Sequence, residues 1–97
     1  MIDFLKKINI SDETIELIKK NNTENQLYNL YCNQDECIKI INYFDKIGVK
    51  KINELLINEI QVFYKIASDI INKFSPYNIE QLVEIINKDY TLIKEFI

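Results

Sequence analysis

Residues 50–74, KKINELLINEIQVFYKIASDIINKF, carry the longest unbroken apolar phase in the chain. Apolar side chains at 52, 56, 60, 63, 67, 70 and 74 follow one another at steps of four and three, with Leu55, Ile66 and Ile71 beside them. That spacing lays one broad stripe along a helix. A stripe of this length must be covered, so the flanking segments are expected to pack on it. One helix over 50–74 satisfies the phase. So do two helices, because Asn58 to Gln61 reads as a capping box, N-x-x-Q, and Asn is a mediocre interior helix residue.

The 97 residues suit one domain, and 47% apolar with 28% charged side chains is the balance of a folded globule. One Gly and one Pro leave few tight turns, which excludes an all-β fold and leaves an all-α one of five or six helices. Twenty Ile, twelve Asn and no Arg read as the imprint of an AT-rich genome. The formal charge is −3 without any His, and every cation is Lys, so bidentate Arg recognition of phosphate or guanine is excluded. MIDFLKKINIS has no signal-peptide run, and no stretch approaches the roughly twenty apolar residues of a membrane span. A cytoplasmic protein of a bacterium, or of a phage or plasmid within one, is expected.

Taken in order, residues 2–8 form a short first helix burying Ile2, Leu5 and Ile8. Ser11 caps a second helix over 12–20 that buries Ile15 and Ile18. Thr23 to Gln26 is a capping box, T-x-x-Q, and opens a helix over 24–31 that buries Leu27, Leu30 and Tyr31. Asn33 to Glu36, N-x-x-E, opens a helix over 34–47 with Cys37, Ile40, Ile41, Phe44 and Ile47 inward. Gly48 then takes the left-handed position past its end. Ser75-Pro76-Tyr77 stops the central stretch, since the residue before Pro leaves helical geometry. Asn78 to Gln81 caps the last helix, which runs from 79 to the end with a kink near Asp89 and buries Leu82, Ile86, Ile93 and Phe96 or Ile97.

Three segments look alike: Asn9-Ile10 through Ile18, Gly48-Val49 through Leu56, and Asn78-Ile79 through Ile86. Each ends in Glu and two apolar residues, and the copies start 39 and 30 residues apart. Such periods mark stacked helical hairpins. Ile47-Gly48-Val49 with Ile52, Leu55 and Leu56 resembles the helical repeat of the mitochondrial transcription termination factor family, and Ile8-Asn9-Ile10 is the next best copy. The resemblance implies a helical-repeat fold that binds nucleic acid on a basic concave face. The chain lacks the proline that follows the family's apolar pair, and it is acidic.

Residues able to carry chemistry are few. Cys32 and Cys37 lack the further ligands that zinc requires. With Asn33 as N-cap they occupy N′ and N4, the positions of a hydrophobic staple. A disulfide between them is the alternative, which a reducing cytoplasm disfavours. Without His or a Gly-rich loop, no catalytic site, metal, cofactor or small-molecule substrate is expected. Tyr28, Tyr43, Tyr64, Ile57 and Val62 fall off the apolar stripes and are the expected partner-binding residues. Lys46, Lys50 and Lys51 gather at one corner and are the candidates for phosphate. The sequence therefore reads as a non-enzymatic protein-interaction or regulatory module, with self-association into a homodimer as one form of it. The alternatives are a nucleic-acid-binding helical-repeat protein and a phage or plasmid inhibitor of a host machine.

Overall fold

The computed structural model describes residues 1–97, and the first half of the chain follows its capping residues. A 3-10 segment, Asp3–Ile8, leads into α1 (Asp12–Asn21), where Ser11 Oγ accepts the Thr14 N–H at 3.2 Å. In α2 (Glu24–Cys32) the Thr23 and Gln26 side chains bond each other's backbone N–H at 3.2 and 2.9 Å, a complete capping box. Only one residue, Asn33, separates α2 from α3 (Gln34–Ile47). Asn33 makes no cap bond to α3. Its Nδ2 instead donates to Asn29 O at 2.8 Å, closing the end of α2. The staple expected from an Asn33 cap is therefore not formed: Cys37 lies in the core, Cys32 is exposed, and both are free thiols. Tyr31, expected inward, is also exposed, while α2 packs on residues 60–64 and on α3.

Two turns share one geometry. After Asp3–Ile8, Asn9 is left-handed at φ +68, with Ile10 N–H bonded to Leu5 O and Asn9 N–H to Lys6 O. After α3, Gly48 is left-handed at φ +98, with Val49 N–H bonded to Phe44 O and Gly48 N–H to Asp45 O. Both are Schellman motifs, and in both the residue past the turn is buried with the residue it bonds. Each corner leads to a helix, α1 in the first and α4 (Ile52–Asn58) in the second, and α1 packs against α4. The third sequence copy differs. Asn78 is extended at φ −70 and acts as an N-cap, its Oδ1 accepting Gln81 N–H at 3.1 Å.

The stretch 50–74 is neither one helix nor two. It divides into α4, a 3-10 segment Ile60–Tyr64, and α5 (Ala67–Phe74). Both breaks are fixed from outside the stretch. Glu59, at the first, is buried, with Oε2 3.0 Å from Lys94 Nζ and Oε1 accepting Gln61 Nε2 at 2.9 Å. At the second, Lys65 and Ile66 are extended, and the Ala67 N–H donates to Glu36 Oε1 at 2.9 Å. The acid expected to box its own helix thus caps α5, 31 residues away. The 3-10 segment runs between α2 and α3, so Ile60 and Phe63, three apart on one face, and Val62 on another are all buried.

The three pieces wrap α3, whose Phe44 is the centre of the core. Its ring stacks on Phe74 at 6.2 Å and meets Phe63 edge-on at 5.7 Å, while Tyr43 lies 6.1 Å from Phe74. The last helix, α6 (Ile79–Lys88), breaks at Asp89 as the sequence suggests. A 3-10 segment, Tyr90–Glu95, follows and buries Ile93. The result is an all-helical fold without strands, with a radius of gyration of 12.7 Å. That matches the roughly 12.5 Å of a compact chain of this length. No helix is long and apolar enough to cross a membrane.

Candidate interaction surfaces

The expected partner-binding residues separate once the chain is folded. Val62 is fully buried and is core, contrary to its off-stripe place in a continuous helix. Ile57, Tyr43 and Tyr64 are half-buried and pack against the core. Burial raises the Tyr43 phenol above the ordinary tyrosine range. Tyr28 alone of the five stands out, at 55% exposure.

Around Tyr28 the surface is built by α2. Leu30 anchors the helix in the core, which turns Tyr28 and Tyr31, three residues apart, outward on one face. Tyr31 is 44% exposed. Beside them Met1, 57% exposed, Leu27 and Tyr28 line a groove with Lys19, Glu24 and Asn25 on its rim. The Cys32 thiol, one turn beyond Tyr28, raises that phenol above its usual value. Sequence reasoning missed Tyr31 and Met1. The i, i+3 spacing of the two tyrosines was the available signal.

A second apolar opening lies on α5. Ile66 is 55% exposed and lines it with Ile70 and Ile97, and Lys65, Asp69 and Lys73 are the charged rim. A third surface is the outer face of α1, where Leu17, 48% exposed, stands among Asp12, Glu13, Glu16 and Lys20.

The basic corner is rigid. Asn87 clamps it, with Oδ1 accepting Lys50 N–H at 2.8 Å and Nδ2 donating to Gly48 O at 3.1 Å. Lys51 pairs with Glu54 at 3.8 Å, leaving Lys46 and Lys50 without a carboxylate partner. The other unpaired lysines do not join them. Lys7 lines a groove with Asp45, Lys20 lies among the acids of α1, and Lys65 and Lys73 are on the rim at α5. Two carboxylates are engaged within the chain. Glu36 is held below the ordinary Glu range by the Ala67 N–H, with Lys39 at 3.3 Å adding to the effect. Glu84 pairs with Lys88 at 3.7 Å. Cys37, buried, is pushed up to about 12 and is inert as a nucleophile. No family model, curated protein or solved structure matches the chain.

Proposed function

We propose that this chain is a small non-enzymatic interaction module of regulatory kind that holds a protein partner against the outward face of α2. The observation that carries this reading is the pair Tyr28 and Tyr31, both exposed on one helix face beside Met1 and the groove it lines. Tyrosines bury large area at small entropic cost while keeping a polar tip, which is why they concentrate at the centres of interfaces. The capping box fixes the start of α2 and the Asn33 bond its end, so the face is presented without further ordering.

The test uses the whole chain as bait against a lysate of its source organism, beside a Tyr28→Ser, Tyr31→Ser variant. A partner held by the native chain is lost from the variant, and its affinity falls by roughly 30-fold or more, the loss of one hot spot of about 2 kcal/mol. A Leu92→Ser control, which removes an exposed apolar side chain elsewhere, retains it. Equal capture by all three baits overturns the assignment to α2.

A further inference from the structure

Two aliphatic side chains on the body of the fold are exposed by about half, and their surroundings are opposite in charge. Leu17 is 48% exposed on α1, among three acids, Asp12, Glu13 and Glu16, and one cation, Lys20. Ile66 is 55% exposed at the start of α5, between two cations, Lys65 and Lys73, with one acid, Asp69. The majority charges match, and so do the minority ones. Lys20 on the acidic face answers Asp69 in the basic groove. Lys65 and Lys73 have no carboxylate partner within the chain, and neither does Glu13, while Asp12 lies 3.5 Å from Lys6 and Glu16 3.7 Å from Lys19 in exposed pairs that solvent keeps weak.

We propose that the α5 groove receives the outer face of α1 from a second copy of this chain, with Leu17 seated on Ile66 and Ile70 between Lys65 and Lys73. The two faces belong to different parts of one molecule: α1 packs on α4 and the 3–8 segment, α5 on α3. The contact is therefore head-to-tail, and each added copy carries a free face of either kind. The occupant is a second copy because this chain itself displays the complementary surface, an exposed apolar residue among charges whose majority sign is the opposite of that around the groove. The α2 face takes no part, so this association is independent of the partner proposed for Tyr28 and Tyr31. It would multiply that face along an assembly and raise its avidity.

The experiment is sedimentation equilibrium of the native chain across a wide concentration range. It is run at about 0.01 M salt, where charges act over roughly 30 Å, and at about 1 M, where they act over roughly 3 Å. The average mass rises with concentration past that of a dimer at low salt and falls back at high salt. Lys65→Glu with Lys73→Glu is monomeric, and so is Glu13→Lys with Glu16→Lys. All four positions are exposed, and circular dichroism verifies that both variants fold. An equimolar mixture of the two variants associates again, because each reversed face then meets its complement. A native chain that stays monomeric throughout overturns the proposal. Association that survives either reversal, or a mixture that stays monomeric, overturns it equally. A Tyr28→Ser, Tyr31→Ser variant assembles like the native chain.

Discussion

Replacing Lys94 by Met removes the ion pair that ties the C-terminal segment to the first break in residues 50–74. The Glu59 side chain is 10% exposed and Lys94 is 56% exposed, so solvent screens the pair from one side only. A fully exposed pair contributes about 0–1 kcal/mol. Breaking a fully buried one costs roughly 3–5 kcal/mol. A pair with one dry and one wet member lies between, near the low end of the about 1.5–3 kcal/mol of a charge-assisted bond. Gln61 stays bonded to the other carboxylate oxygen and limits the damage. We therefore expect Lys94→Met to cost about 1.5 kcal/mol, which for a domain of this size lowers Tm by roughly 6–12 °C. The assay is thermal and urea unfolding at pH 7 of the native chain, Lys94→Met, Glu59→Gln and the double variant. The coupling energy from that cycle should be about 1 kcal/mol, and amide exchange should quicken over Tyr90–Glu95 before the rest of the chain. A coupling below about 0.3 kcal/mol, the level of unconnected sites, refutes the reasoning.

Glu36→Gln weakens the cap on α5. Because the folded carboxylate is held below its ordinary range, its contribution is complete above about pH 4.3, the unfolded value. It disappears as pH falls through the lower folded value, so urea midpoints of the native chain and the variant differ at pH 7 and converge in acid below that value. One thiol reacts quickly with Ellman's reagent, the exposed Cys32, and Cys32→Ser leaves only a slow phase that tracks unfolding of the core around Cys37. Gly48→Ala costs about 1–2 kcal/mol of stability through backbone strain at φ +98, since a Cβ there meets Val83 at an ordinary 3.8 Å. Labelled duplex DNA, single-stranded DNA and RNA show no salt-sensitive anisotropy change with the chain at low salt. Binding that weakens by orders of magnitude up to about 0.2 M salt would restore Lys46, Lys50 and Lys51 as a phosphate site.

Where a helix begins or ends by local chemistry, the sequence was readable. Ser11, Thr23 with Gln26, Asn78 and Gly48 each act at the position their type suggests, and α3 occupies the expected 34–47. Residues 50–74 were not readable, for a physical reason. A break of one or two residues hardly disturbs a stripe with steps of three and four, so periodicity passes over it. The groups that make the breaks, Glu36 and Lys94, lie 31 and 35 residues from their partners. Val62 was misplaced because the segment that carries it is covered from two sides, by α2 and α3, so a residue off the stripe is still inward. Tyr28 was legible as a surface residue because α2 is a simple capped helix anchored by Leu30. The matching charges around Leu17 and Ile66 needed the fold, which shows the two residues exposed on separate helices.

Apart from the caps at Asn33, Asn58 and Asn78, asparagine was read as composition, yet several of these side chains hold the frame. Asn22 Nδ2 donates to Ile18 O at 2.8 Å and to Ile57 O at 3.1 Å. Those carbonyls belong to the last turns of α1 and α4, groups a helix cannot satisfy internally. One amide therefore closes two helix ends and fastens them together. Asn21 donates to Asn58 Oδ1, and Asn58 donates to the Tyr90 hydroxyl, both at 3.1 Å, which brings the C-terminal segment to the same place. Asn87 joins α6 to the Gly48 corner. A short side chain with donor and acceptor on one group suits a fold of brief helices with one glycine, one proline and no arginine. The braces lie between α1, α4, α6 and the C-terminal segment. The outward face of α2, the outer face of α1 and the rim of the α5 groove carry none of them. Substitutions on those surfaces should therefore alter association while leaving the unfolding midpoint nearly unmoved, whereas Asn87→Ala, which frees the Gly48 corner from α6, should lower the midpoint and leave both proposed contacts intact.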